Sequence, residues 1–152
     1  MLINIVTLRP RSFIPYGNKE VYSSFFEWAK WYWNGAVHIN DVASAVLQSI
    51  DLLNERSLHQ HLVLPIDGAY EYTLNDLQEW DQSGPGATFK KYYAKYFDLA
   101  IPYGLNPNAK PTIQGISDTK KWLPYQPRYS LMSLLEGLSK YGEAGPPSIK
   151  FD

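Results

Sequence analysis

Residues 2–8 (Leu-Ile-Asn-Ile-Val-Thr-Leu) constrain the fold more than any other segment, because they form a short, β-branched and largely apolar run. Only Asn4 and Thr7 are polar. A strand that is apolar on both faces must be covered on both, which is typical of parallel sheets. Arg9 and Pro10 follow and are expected to end the strand, since proline cannot donate to a central ladder. The segment therefore predicts a parallel sheet flanked by helices.

The next segments alternate between helix and strand. Apolar residues recur at three- and four-residue spacing over residues 19–33 and again over 41–53, which predicts two helices. Residues 36–39 and 61–66 read as strands, and Pro65 is expected to shorten the second or move it to an edge. The order strand, helix, strand, helix, strand favours parallel strands joined by crossover helices.

The helix over residues 41–53 is expected to begin at Asn40 or Asp41, because a short polar side chain can accept from the free N–H groups of the first turn. One apolar stripe should cover the sheet. Its expected members are Val42, Ala45, Val46, Ile50 and Leu53.

The second half of the chain is predicted to be mostly helical. Helices are expected over residues 74–81, 87–100, 118–123 and 130–141, with a short strand at 112–113. The fold class is therefore α/β, with partial Rossmann-like parallel strands, crossover helices and a mostly helical C-terminal lobe. Residues 1–141 are predicted to form a single domain, and residues 142–152 a flexible tail.

Composition excludes several function classes. Among 152 residues, 14 Lys and Arg balance 15 Asp and Glu, which argues against a nucleic-acid partner. No run approaches the roughly 18 apolar residues of a membrane span, and residues 1–8 lack the features of a signal peptide. The absence of cysteine removes disulfides and thiolate metal sites. A cytoplasmic protein without membrane or nucleic-acid partners is expected.

Aromatic residues make up 15% of the chain. A core built from large side chains is the favoured interpretation. The alternative is an aromatic surface that stacks on sugars or binds a partner.

The polar residues predict no catalytic or metal site. His38 is expected to be a packed histidine, and His59 and His61 lack an obvious third ligand. The carboxylates between Glu71 and Asp81 look like a solvated helix face. Pro85 removes an N–H donor from the only segment that resembles a phosphate loop.

Four motifs occur in a characteristic order. They are Leu8–Pro10 (Leu-Arg-Pro), Gly35–Ala43 (containing Val-His-Ile-Asn-Asp-Val-Ala), Ile116–Leu123 (containing Ser-Asp-Thr-Lys) and Pro127–Leu131 (Pro-Arg-Tyr-Ser-Leu). Together they resemble the C-terminal half of the extended short-chain dehydrogenases/reductases, the NAD-dependent sugar-nucleotide epimerase/dehydratase family. The resemblance covers nearly the whole chain. It implies a Rossmann-type domain for the dinucleotide and a smaller lobe for a nucleotide-linked sugar.

The family's catalytic motifs are absent from this sequence. The family uses a Gly-rich dinucleotide turn and a Tyr-x-x-x-Lys pair, both in its N-terminal half. None of the 12 tyrosines here has a lysine four positions later. The resemblance therefore implies the C-terminal, sugar-nucleotide-facing portion of an NAD(P)-dependent epimerase/dehydratase-like protein, which is not catalytic alone. NAD or NADP would belong to the intact family, and this chain alone is expected to bind neither.

The expected partners follow from the same resemblance. They are a nucleoside-diphosphate sugar, and either the missing N-terminal dinucleotide-binding half or a second copy of the chain. The alternative function is a stand-alone, non-catalytic binding or protein-interaction module derived from that lobe.

The resemblance also implies site residues. The loop expected to face substrate or cofactor contains Arg9, Pro10, Ser12 and Tyr16. Lys110 and Arg128 are candidate phosphate contacts, and Asp41 is expected to be a structural cap. Ser12 and Asn34 stand where the family often has an Asn and an Arg, so those two contacts are in doubt.

Overall fold

The computed structural model describes residues 4–13, 24–55, 58 and 60–147. Its elements are β1 (Ile5–Pro10), α1 (Phe25–Trp33), α2 (Ile39–Glu55), β2 (His61–Ile66), α3 (Leu74–Ser83), α4 (Ala87–Tyr93), α5 (Phe97–Ala100), α6 (Ser117–Trp122) and α7 (Leu131–Tyr141). Short 3-10 turns lie at Ala94–Tyr96 and Gly142–Ala144. Within these described ranges, no helix combines the length and apolar character needed to cross a membrane.

β1 and β2 form a parallel two-stranded sheet with Ile5 opposite His61 and Pro10 opposite Ile66. On one face the side chains of β2 are buried, with Leu64 as an example, whereas Val63 on the other face is exposed. The coarse prediction of a mixed α/β fold is thus confirmed.

Both strand prolines lie where they remove no bond between the two strands. β1 continues through Pro10, beyond its predicted end, because the Arg11 N–H donates to the Ile66 carbonyl (2.9 Å) and the Pro10 nitrogen must face the opposite edge. In β2 the Pro65 carbonyl faces away from β1 and accepts from the Thr119 hydroxyl (2.5 Å). Helix α6 therefore covers the outer edge of β2.

The strand predicted at residues 36–39 is wrong. The segment is buried, but its backbone groups bond elsewhere: the Val37 N–H donates to the Ser12 carbonyl (3.0 Å). The His38 carbonyl accepts from the N–H of Asp41 (2.9 Å) and so begins α2 at Ile39. The Ala36 N–H and carbonyl both bond to the Tyr70 hydroxyl (2.8 Å), so these groups too are used outside a sheet.

Two further predictions differ from the structure. Residues 112–113 form no strand, because the Thr112 carbonyl accepts from the Arg11 guanidinium (2.5 Å). The helix predicted over residues 87–100 is interrupted at Ala94–Tyr96 by a 3-10 turn. The tighter turn places residues three apart on one face, so Tyr96 is buried together with Tyr93.

Helix α2 buries a different stripe from the predicted one. Val42, Ala45 and Leu52 are buried, but Val46 and Ile50 are 43% and 48% exposed. The helix carries apolar residues on two faces, and a sheet of two strands covers only one of them. Val46 and Ile50 therefore lie on the uncovered face.

The buried residues form two groups. One joins β2, α2 and α6, with Leu64 and Leu123 as members. The other joins α1, α4, α5 and α7 and is rich in aromatic side chains: Phe25, Trp28, Tyr32, Phe89, Tyr93 and Tyr96. The second group forms the helical lobe, and it accounts for much of the aromatic content as core.

Local sequence signals placed the helix starts in this lobe. Thr73 caps α3 and Ser130 caps α7, each with a reciprocal bond to the third helical residue.

Asp76 is buried, so the prediction that the carboxylates between Glu71 and Asp81 form a solvated helix face is wrong for this residue. Although burial opposes it, bonds from Lys91 (2.6 Å) and from the Thr73 backbone hold the pKa of Asp76 well below its usual range.

Part of the segment at residues 142–147 is packed against α1 and α7. Gly145 is buried, and a Cβ at this position would overlap Phe25. Residues 148–152, the rest of the expected flexible tail, lie outside the described ranges. The first part of the predicted helix at residues 19–33 also lies outside them, and α1 is described from Phe25.

Candidate functional site

The carboxyl ends of the two strands place a basic and an acidic residue side by side. Arg11 follows β1 by one residue and Asp67 follows β2 by one, and the Arg11 Nη1 atom lies 3.3 Å from Asp67 Oδ2. Ligands of open parallel sheets bind outside this edge. Sequence reasoning singled out neither residue. The signal that could have found them is their matching position directly after two parallel strands.

Asp67 is almost fully buried and has several donors. Besides Arg11, its carboxylate accepts from the N–H of Gln114 (2.6 Å) and of Gly68 (2.9 Å). Burial raises the pKa of Asp67, and these donors and the guanidinium oppose the rise. Asp67 therefore fixes residue 114 on the end of β2.

Arg11 connects separate parts of the chain. Its guanidinium donates to the carbonyls of Thr112 (2.5 Å) and Asn34 (3.4 Å) in addition to Asp67. It lies against Gly35, which has φ of +96°, and a Cβ there would overlap the guanidinium. Arg11 thus joins the end of β1 to the end of α1 and to residues 111–114, hereafter the 111–114 segment.

Two clefts flank the 111–114 segment. The first cleft has a volume of about 100 Å³ and is lined by Trp33, Asn34, Phe89, Lys110 and Thr112, among others. The second cleft has a volume of about 320 Å³ and is lined by Asp67, Gln114, Lys120 and Gln126, among others. Tyr70 and Tyr72 line both clefts and form their common wall.

The two tyrosines in this wall are held in their protonated form. Burial raises the pKa of Tyr70 above its ordinary value, and its hydroxyl bonds to the Ala36 backbone (2.8 Å). Burial, followed by the carboxylates of Glu71 and Asp76, also raises the pKa of Tyr72. Both phenols stay protonated at neutral pH, so the arrangement favours binding over proton abstraction.

The residues expected in the substrate loop are only partly described. Arg9 and Pro10 are the last two residues of β1, and the Arg9 side chain is exposed. Ser12 is also exposed, and its carbonyl accepts from Val37. Tyr16 lies outside the described residues.

The two candidate phosphate contacts lie in different surroundings. Lys110 lines the first cleft, where its Nζ atom is 3.7 Å from the Asp81 carboxylate and 5.4 Å from the centre of the Trp80 ring. Arg128 is exposed and lines neither of the two clefts. The structure thus brings Lys110, but not Arg128, to the clefts.

Asp41 has a structural role that differs from the expected cap. α2 begins at Ile39, so Asp41 lies within its first turn, and its carboxylate accepts from the N–H groups of Arg128 (2.9 Å) and Tyr129 (3.2 Å). Burial raises the pKa of Asp41, and these two donors oppose the rise. Asp41 holds the segment before α7 against α2 instead of capping its own helix.

The cap of α2 is provided by His38. Its Nδ1 atom accepts from the Asn40 N–H (3.1 Å), and its ring stacks on Tyr129 with centroids 3.4 Å apart. The imidazole is buried, and burial lowers the pKa of His38 to about 4. His38 is therefore neutral and packed at pH 7, in agreement with its interpretation as a packed histidine.

His61 is exposed at the start of β2, 2.8 Å from the Thr7 hydroxyl, and His59 lies outside the described residues. In the described part of the chain, no group of three or more His, Asp and Glu side chains could hold a metal ion.

Comparison with models of protein families, with curated proteins and with solved structures finds no match.

Substituting Arg11→Met should destabilise the protein by about 2 kcal/mol, because it leaves the buried Asp67 carboxylate without its cation but with its two N–H donors. Urea unfolding at pH 7 measures the change. Lys121→Met is the matched control, since it breaks the exposed ion pair of Lys121 with Asp118 (2.7 Å) and should change stability by less than about 0.5 kcal/mol. Equal effects of the two variants would show that the Arg11–Asp67 pair stabilises nothing.

His38 should make stability depend on pH. As the pH falls below 6.5 the unfolded chain gains a proton at His38 that the folded chain does not take up until about pH 4. Stability should therefore fall by about 3 kcal/mol across this window, with no further loss from this group below it. His38→Gln should abolish this component in denaturation measured from pH 7 to pH 4. His61→Gln, at an exposed position, should retain it, and a wild-type profile in His38→Gln would contradict the assignment.

Proposed function

We propose that this chain is the C-terminal, sugar-nucleotide-facing portion of an NAD(P)-dependent epimerase/dehydratase-like protein of the extended short-chain dehydrogenase/reductase type. The observation that carries the proposal is the one-sided sheet. The outer edge of β2 is covered by α6, whereas β1 carries no third strand in the described ranges. Such a sheet suits one end of a larger Rossmann-like sheet.

The geometry of β1 supports an additional strand on its outer edge. Backbone N–H groups point to alternate edges along a strand. Because the Arg11 N–H faces β2, the backbone groups of Val6, Leu8 and Pro10 face the opposite, outer edge. No backbone bond from Val6 or Leu8 to a third strand is found in the described part of the chain. A sheet of two strands depends for its stability on helices or further strands packed against it. The proposed N-terminal half would supply the next strand.

The exposed faces support the same conclusion. Ile5 and Val63 on the outer face of the sheet are 44% and 47% exposed, although parallel sheets are normally covered on both faces. The uncovered stripe of α2, which contains Val46 and Ile50, lies on a helix that packs against β1. A domain added beside β1 would bury these side chains.

The first cleft is the proposed position for part of the nucleoside-diphosphate sugar. Its aromatic wall, with Trp33 and Tyr72, suits the flat face of a base or sugar, and Lys110 supplies one positive charge. Asn34 supplies no charge where the resemblance implies an arginine. The isolated chain should therefore bind such ligands weakly.

NAD or NADP belongs to the proposed N-terminal half. This sequence has no Gly-rich turn for the pyrophosphate and no Tyr-x-x-x-Lys pair. The dinucleotide supplies hydride transfer in the intact protein. The contribution proposed for this chain is to bind and orient the sugar nucleotide.

Isothermal titration calorimetry with UDP-glucose and dTDP-glucose tests the ligand. Binding should exceed that of free glucose, and Lys110→Ala should weaken it about tenfold by removing the charge that faces the diphosphate. Lys95→Ala, which removes an exposed lysine that does not line the cleft, is the control. Equal binding of free glucose, or no effect of Lys110→Ala, would contradict the proposal.

A stand-alone interaction module is the second candidate, and the uncovered face of α2 favours it. Leu47 is 64% exposed beside Val46 and Ile50, which leaves an apolar surface typical of a contact site.

Light scattering at tens of micromolar protein should then detect a dimer, and Leu47→Glu should restore the monomer. Leu74→Glu, at an equally exposed leucine on α3, should leave the mass of the dimer unchanged. A monomeric wild-type chain would exclude self-association and leave the open edge of β1 to a different polypeptide.

A further inference from the structure

The second cleft has walls that are fixed in place yet take no part in the proposed function. Three separate segments converge on it: the 111–114 segment, α6 and the loop at residues 126–127. Each is held by a hydrogen bond to or from a buried side chain. A preformed cleft with polar groups at its rim is the usual form of a small-molecule site.

Gln114 is positioned through its backbone. Its N–H donates to the buried carboxylate of Asp67 (2.6 Å), which in turn is held by Arg11. The Gln114 side chain is exposed, and the described part of the chain provides it with no hydrogen-bond partner. Its amide is therefore available at the cleft.

Lys120 is positioned by its neighbour on α6. Thr119 is fully buried and donates to the Pro65 carbonyl (2.5 Å), and its own carbonyl accepts from the Leu123 N–H (2.8 Å). Lys120 lines the cleft, and no described acidic side chain lies within ion-pair distance of its Nζ atom. By contrast, the adjacent Lys121 is paired with Asp118.

The third wall is fixed from two sides. The Tyr125 hydroxyl donates to the Asp67 carbonyl (2.8 Å), and the Arg128 N–H donates to Asp41 (2.9 Å). Gln126 and Pro127 lie between these two attachments and line the cleft. The side-chain amide of Gln126 likewise has no partner among the described residues.

The charges at the cleft favour an anion. Asp67 is the acidic residue among its lining side chains, and its charge is compensated by Arg11 at 3.3 Å. Lys120 is the remaining charged residue of the lining, and one ammonium is neutralised by one carboxylate. Apolar surface from Ile113, Ile116 and Pro127 lies in the same cleft.

We propose that the second cleft binds a small organic monocarboxylate, with the carboxylate on Lys120 and an apolar or planar body against Ile113 and Ile116. The amides of Gln114 and Gln126 hydrogen-bond polar groups on that body. The volume of about 320 Å³ lies at the lower end of small-molecule sites, which suits a ligand with one ring. This site is separate from the first cleft and does not depend on the sugar-nucleotide proposal.

Benzoate and its neutral isostere benzamide are the probes, titrated into the isotopically labelled full chain and followed by amide chemical shifts. Benzoate should shift the resonances of Gln114, Lys120 and Gln126 and bind about tenfold more tightly than benzamide. Lys120→Gln should remove this preference. Lys121→Gln, which removes the same charge at the neighbouring position, should retain it.

Gln126→Leu provides a second variant that keeps Lys120. It should weaken binding of 4-hydroxybenzoate, whose ring hydroxyl is a polar group on the body, while preserving the preference for the anion. Equal binding of benzoate and benzamide would overturn the proposal, as would equal effects of Lys120→Gln and Lys121→Gln. Absence of shifts up to about 10 mM benzoate, a concentration at which even millimolar ligands bind, would also overturn it.

Discussion

The ion pair between Arg11 and Asp67 is the interaction on which the carboxyl edge of the sheet depends. It connects the ends of two parallel strands at 3.3 Å, and each partner also binds backbone from a distant part of the chain. Arg11 binds Thr112 and Asp67 binds the N–H of Gln114. A partly buried pair of this kind is effective only when further hydrogen bonds satisfy both partners, and here the 111–114 segment supplies them.

This arrangement also explains why the edge is divided into two clefts with different chemistry. The 111–114 segment lies between them, and Tyr70 and Tyr72 form the wall that they share. The first cleft is aromatic, whereas the second has Lys120 and side-chain amides at its rim. Since burial keeps both tyrosines protonated, the edge is suited to binding and orienting ligands.

Only one of the two edges of the sheet is covered in the described ranges. Thr119 closes the outer edge of β2, but the outer edge of β1 and the stripe of α2 that contains Val46 remain uncovered in the described ranges. The two proposals for function differ in what covers these surfaces: a dinucleotide-binding half, or a second copy of the chain. The clefts lie at the carboxyl ends of the strands, so a polypeptide placed along β1 would adjoin them.

Local signals in the sequence indicated a strand at residues 2–8, which the structure describes at Ile5–Pro10, and determined the strand at residues 61–66 and the capped starts of α3 and α7. Periodicity and capping act over a few neighbouring residues. They did not determine the backbone conformation of residues 36–39. The apolar pattern of this segment suits a strand, but its backbone hydrogen bonds go to Ser12 and to α2. Nor did they determine which stripe of α2 is buried, or the pairing of Arg11 with Asp67 across 56 positions. Those outcomes depend on which partners the folded chain brings within hydrogen-bond distance, and only the tertiary structure decides that.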